Sequence, residues 1–185
     1  MDLEVSAEAK DKRLNRAVAI TVVILSVFTG LCNIKDGNIV QAMQQAQSDS
    51  VDSWSEYQAA RTKMHIAETS RTQIAFIGEG RPETAAMLAG LDRDIARYRA
   101  EGPALAARAK AFSDKYDALN VHDDQFDASD ASIATAISIA AVAALVESPA
   151  VLAMAWIFGG FGMVMGLAGF MGWAVHPDIL SSLLG

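Results

Sequence analysis

The sequence predicts an all-α protein: a three-span helical membrane protein with a long antiparallel, coiled-coil-like helical hairpin between the first and second spans. Three observations carry this. Ala131–Val175 contains no Lys or Arg, and Glu147 is its only charged residue. A second apolar run, Ala17–Leu31, lies near the N-terminus. Between them, residues 35–130 are polar, with 11 basic and 16 acidic groups, and carry helical periodicity.

Composition excludes some classes first. The 185-residue chain has a formal charge of −7, which argues against nucleic-acid binding, because phosphate contacts need a basic face. Cys32 is the single cysteine, so no intrachain disulfide can form.

In chain order, residues 1–13 are a polar tail on the cytoplasmic side, read as a surface helix or a frayed end. Residues 14–34 form the first span. Its uncharged core of 15 residues extends to 18 with Cys32–Ile34, against about 17–20 needed to cross hydrocarbon. A cleaved signal peptide is the rival reading. No small-x-small site follows the run, and Leu31 before Cys32 suits lipoprotein processing poorly, so an uncleaved anchor is preferred. Asp36-Gly37-Asn38 reads as a break or cap at the membrane surface. Ile39–Ile77 has no Pro or Gly and predicts one long helix, although Val40, Met43, Val51, Trp54, Tyr57, Met64, Ile74 and Ile77 drift from a strict seam. Gly78-Glu79-Gly80-Arg81-Pro82 predicts a turn, with Pro82 opening the next helix.

The return segment is regular. Leu88, Leu91, Ile95, Tyr98, Gly102, Leu105, Ala109, Phe112, Tyr116 and Leu119 alternate in steps of three and four, a heptad seam. Gly102-Pro103 is expected to kink or restart the helix without losing register. The poorer outbound seam leaves room for a partner helix from another subunit.

His122-Asp123-Asp124-Gln125-Phe126-Asp127-Ala128-Ser129-Asp130 is an acidic entrance to the second span, 131–147. Glu147-Ser148-Pro149 suits a tight reversal, and 150–175 is the third span. The tail 176–185 suits an interfacial position. Basic residues flank the first span on its N-terminal side (Lys10, Lys12, Arg13, Arg16), while only Lys35 follows it. The positive-inside rule then places the N-terminus in the cytoplasm, with the hairpin and C-terminus outside.

Leu14-Asn15-Arg16-Ala17-Val18-Ala19, Ile34-Lys35-Asp36-Gly37-Asn38-Ile39-Val40-Gln41-Ala42-Met43-Gln44-Gln45-Ala46-Gln47 and Val51-Asp52-Ser53-Trp54-Ser55-Glu56-Tyr57-Gln58-Ala59 resemble the domain-of-unknown-function 4337 family of bacterial inner-membrane proteins. His122-Asp123, Phe126-Asp127 and the Ala-rich span resemble its later segment. The resemblance implies one anchor, a helical extramembrane region and a membrane hairpin; it implies no activity. The Glu147-Ser148-Pro149 turn departs from the basic, Trp-bearing turn of the family.

Several features are candidates for function. Ala155, Gly159, Gly162, Gly166 and Gly169 form a row of small residues suited to close helix packing in lipid, either on the second span or on a neighbouring subunit. Asp123, Asp124, Asp127 and Asp130 are weak candidates for a divalent cation, without the spacing of a calcium loop. Their ordinary role would be to favour a helix N-terminus and to block inward translocation. Glu147 is an ionisable group at a span end, where the Pro turn favours a solvated position. His65 reads as solvated, Trp54 and Tyr57 as seam contacts, and Trp156 and Trp173 as aromatic-belt residues. No nucleotide-binding loop, nucleophile elbow or metal-ligand pair occurs, so the chain is not read as an enzyme, and no cofactor is implied. The expected partners are the lipid bilayer and either the chain itself, as a homo-oligomer, or the subunits of a larger membrane complex. The expected role is a self-associating scaffold or accessory subunit acting by helix packing. The alternative is a small oligomeric channel or transporter lined by Ser132, Thr135 and Ser138.

Overall fold

The computed structural model describes residues 2–79, 81–173 and 175, with side chains from residue 12 onward; the tail 176–185 lies outside the described residues. Three helices account for nearly all of it: α1 (Asp2–Ile77), α2 (Pro82–Leu145) and α3 (Pro149–Met171). All three are long and apolar enough to cross a membrane, and are compatible with a multi-pass membrane protein. The chain divides into two compact units, residues 1–42 with 118–185, and residues 43–117.

Two expected interruptions are absent. Asp36-Gly37-Asn38 is not a break, because α1 continues through it. A Gly inside a helix costs only about 1 kcal/mol relative to Ala, and buried Ile39 and Met43 just beyond reward continuation. Gly102-Pro103 likewise lies within unbroken α2. Gly102 faces inward beneath the Tyr57 ring, while Pro103 is exposed.

The two turns follow from local chemistry. At the first, Gly78 N–H donates to Ile74 O (2.9 Å) and Thr84 Oγ1 donates to Gly78 O (2.8 Å). A Cβ at Gly78 would stand 2.8 Å from Ile74 O, so a glycine is needed there. At the second, Ser148 N–H reaches back to Ala143 O (3.1 Å), with Glu147 left-handed at φ 52°. Pro149 then takes the first helical position, where its missing N–H would have no partner anyway. α3 closes with Gly172 at φ 67° and Trp173 N–H on Ala168 O (3.0 Å), short of the 175 expected for the third span.

In the 43–117 unit, the outbound and return stretches pack against each other. On α2 the inward positions are the expected ones: Ile95 is buried, and Leu88, Leu91, Tyr98, Leu105, Phe112 and Tyr116 are half-buried, as is Leu119 just beyond the unit. On α1 the seam differs from the expected set. Val51 and Trp54 point outward, and the inward row is Met43, Ala46, Ser50, Ser53, Tyr57, Ala60, Met64 and Ala67, stepping strictly by three and four. Large residues of α2 therefore lie over small residues of α1.

In the other unit, three helices enclose an apolar centre. One layer gathers Leu14, Val18, Ala140, Ala143, Leu152 and Ala155. The next holds Leu25, Ile133 and Ala136, with Phe28, Ile137 and Met163 packed around them. Many large apolar side chains nevertheless face outward, among them Val23, Val27, Ile157 and Val164. Only 17% of the apolar window of α1 is buried.

Candidate functional site

The small-residue row of α3 is the contact face of the three-helix unit. Ala155, Gly159, Gly162, Gly166 and Gly169 are all buried. Each glycine is covered by a particular side chain. A Cβ on Gly159 would stand 3.0 Å from Leu25 Cδ1; on Gly162, 2.7 Å from Ile133 Cγ1 and 2.9 Å from Ser129 O. On Gly166 it would stand 2.7 Å from the Phe28 ring and 2.9 Å from Cys32 Sγ, and on Gly169, 2.8 Å from the Phe126 ring. The row thus packs against α1 and α2 of its own chain. Gly160, on the opposite side, meets nothing within 4 Å. Trp156 adds a polar tie from α3 to α1, its Nε1 donating to Thr21 Oγ1 at 2.9 Å.

Above the glycines the unit becomes polar. Phe126 and Phe170 meet edge to face, ring centroids 5.3 Å apart. Gln125, fully buried, donates from Nε2 to Trp173 O (2.8 Å) and to Val175 O, and its Oε1 lies 3.1 Å from His122 Nδ1. Because an amide oxygen only accepts, His122 Nδ1 carries the hydrogen. Gln125 therefore holds the chain just after α3 against α2, a role that sequence reasoning missed: a lone Gln in an acidic stretch gives no signal of its own.

The acidic candidates lie at this same end. Asp123 on α2 meets Asp36 on α1 through their carboxyl groups. Burial foremost, then the charge of Asp36, pushes Asp123 up to about 6. Burial likewise raises Asp36 and Asp127. Asp130 is exposed, and Asp124 accepts from Asn120 Nδ2 at 3.4 Å. Among the described residues no three His, Cys, Asp or Glu side chains come together in a way that could hold a metal ion.

In the hairpin unit, Arg99–Glu68 (3.1 Å), Arg108–Glu56 (3.6 Å) and Arg71–Asp92 link the two helices, all on exposed surface. His65 lies 3.3 Å from Glu68 on that surface. Tyr57 is in the seam and stacks edge to face with outward Trp54, centroids 5.5 Å apart. Two open grooves mark the unit. One, about 310 Å³, lies at the turn beside Ile77, Arg81, Thr84 and Met87; the other, about 520 Å³, lies beside Trp54, Lys110, Ser113 and Asp117. Neither lining includes a histidine or a cysteine. Of the hydroxyls considered for a channel lining, Ser132 is half-buried, and Thr135 and Ser138 are exposed, each donating to its own helix, at Ala131 O and Ala134 O.

Fold and contacts define an all-helical protein built from a packed helical hairpin and a three-helix unit whose apolar helices suit a multi-pass membrane protein. More particularly, the chain belongs to the family described as domain of unknown function DUF4337, which matches residues 14–172. No curated protein and no solved structure matches it.

Proposed function

We propose that the chain is a three-span inner-membrane protein of structural role, a self-associating scaffold or accessory subunit of a larger membrane assembly, working by helix packing without a catalytic step. The observation that carries this reading is where the large apolar side chains point. In the three-helix unit they face outward on every helix, as with Val23, Val27, Val142, Ile157 and Phe161. Such a surface is unfavourable in water and suits hydrocarbon. The hairpin unit has a charged outer surface but also exposes Val51, Trp54, Ile66, Phe76 and Ile77 outside its seam. They stand outside the seam, Trp54 touching it only edge to face on Tyr57, and they are the surface offered to a second copy or to a fixed companion.

The glycine row and both hairpin seams are occupied inside the chain, which moves the proposed contacts between subunits onto that outer surface. Lys12, Arg13 and Arg16 at the start of the first span favour a cytoplasmic N-terminus and an external hairpin, periplasmic in a Gram-negative cell. A channel is supported less. The centre of the three-helix unit is filled by apolar side chains, and Thr135 and Ser138 bond to their own helix.

Photo-crosslinking side chains placed singly at Trp54, Ile66 and Phe76 in the full chain, in its native membrane, test the reading. A dimer-sized product, or one companion of constant mass, is expected from at least one position, and none from the seam position Ala60. Absence of any defined product from the three outward positions would sink it.

A further inference from the structure

An open groove of about 280 Å³ runs between α1 and α3 on the outside of the three-helix unit. Thr21, Ile24 and Leu25 line it from α1, and Trp156, Gly160 and Met163 from α3. From Trp156 to Met163 it follows about 10 Å of helix. Gly160 keeps it open, since a Cβ there would meet nothing within 4 Å. The lining is apolar except where Trp156 Nε1 donates to Thr21 Oγ1 at 2.9 Å.

That one polar point is incomplete. Thr21 Oγ1 accepts from Trp156, and among the described residues its own hydroxyl hydrogen has no acceptor. Thr135 and Ser138 on α2 instead donate to the carbonyl one turn back. A hydroxyl set in apolar surroundings is costly until its hydrogen finds an acceptor. The groove therefore asks for a guest that is mostly hydrocarbon and carries an oxygen at the level of Thr21.

Charge narrows the choice. Arg13, Ala17, Thr21 and Ile24 follow one another at steps of four, four and three, on one face of α1. Arg13 thus stands above the groove, about 12 Å along the helix from Thr21, with Arg16 beside that face. Both are exposed, and neither enters an ion pair among the described residues. Glu147, in the turn at this end of the unit, is exposed and joins neither of them. A guanidinium beside a phosphate forms a strong, charge-assisted contact. A headgroup with its own ammonium would bring a second cation next to Arg13; an anionic headgroup brings none.

We propose that the groove holds one anionic phospholipid. An acyl chain lies along Gly160 and Met163, an ester carbonyl accepts from Thr21 Oγ1, and the phosphate rests on Arg13. A helix of a second copy fits less well, because at about 10–12 Å across it would bridge the groove without entering it. The site rests on the three-span reading proposed above and adds a specific ligand to it.

The test is lipid quenching of Trp156 fluorescence. The full chain carrying Trp54→Phe and Trp173→Phe, which leaves Trp156 alone, is placed in mixed phosphatidylglycerol and phosphatidylcholine bilayers, with one or the other lipid brominated on its acyl chains. Phosphatidylglycerol is expected to reach Trp156 with about fivefold greater relative affinity than phosphatidylcholine. Arg13→Gln should abolish the preference. Gly160→Leu should abolish it too, by filling the groove with Arg13 in place, and Ile24→Phe should do so from the other wall. Trp173 as the sole tryptophan should show no preference. Equal quenching of Trp156 by the two lipids would overturn the proposal. So would a preference that survives both Gly160→Leu and Ile24→Phe, since attraction to the basic flank alone would then explain it. Trp156 shielded from both lipids while Trp173 is quenched would put another helix in the groove and overturn it as well. Each of these results leaves the three-span reading standing; no quenching at either tryptophan would contradict that reading and the lipid site together.

Discussion

Replacing Gly162 by Ala, with Gly160→Ala as the matched control, isolates the contact that holds α3 on α2. The two glycines lie two residues apart on one helix and face opposite ways. A Cβ at 162 would stand 2.7 Å from Ile133 Cγ1 and 2.9 Å from the Ser129 carbonyl oxygen; a Cβ at 160 meets nothing within 4 Å. Ile133 is fully buried and cannot swing aside, and the carbonyl belongs to helix backbone. The new contacts fall roughly 0.6–0.8 Å short of a ~3.5 Å optimum, so α3 must lift off α2. Overpacking of this kind costs about 1–3 kcal/mol. The gain from replacing a helical Gly by Ala, about 1 kcal/mol, is common to both variants and cancels in their comparison. Gly162→Ala should therefore be less stable than Gly160→Ala by about 1–3 kcal/mol, or about 4–8 °C in thermal midpoint for a 2 kcal/mol gap. Circular dichroism melts in one detergent measure it. Equal midpoints, or Gly162→Ala as the more stable variant, would refute the packing of the glycine row against α2.

Other outcomes follow from single contacts. Glu147 sits at φ 52°, so Glu147→Gly should stabilise the chain by about 1 kcal/mol through relief of the left-handed backbone; a lowered midpoint would mean that the carboxylate has a role of its own. Gln125→Leu removes both donors to the chain after α3 and should cost about 1–3 kcal/mol, with faster hydrogen exchange at the Trp173 amide; unchanged exchange would show that the two carbonyls do not need Gln125. Ser113→Cys, on the hairpin, should react in intact spheroplasts with a reagent that does not cross membranes, and labelling only after lysis would reverse the proposed orientation.

Much of the architecture was legible in the sequence, and the failures have physical causes. The return seam showed because it is built from Leu, Ile, Phe and Tyr, whose spacing is unmistakable. The outbound seam did not, because its inward positions are mostly Ala and Ser: Ala46, Ser50, Ser53, Ala60 and Ala67 are buried or half-buried because large residues of α2 cover them. Val51 and Trp54, the more hydrophobic neighbours, drew attention to the wrong face. Asp36-Gly37-Asn38 and Gly102-Pro103 carried local helix-breaking signals that packing on either side overrode. The reversals at Gly78 and Pro149 were legible because backbone geometry alone selects those residues. The glycine row was visible as a row, but its partners were not, since Leu25, Phe28, Ile133 and Phe126 come from two other helices. The Asp36–Asp123 contact joins residues 87 positions apart, a distance over which spacing carries no information.

The most direct measurement is the native mass of the full chain released from its own membrane in mild detergent. A single species heavier than the 19.7 kDa chain, either a fixed multiple of it or the chain with one companion in constant ratio, is the result expected of a scaffold or accessory subunit. A 19.7 kDa species alone, unchanged when the membranes are cross-linked before extraction, would contradict that role.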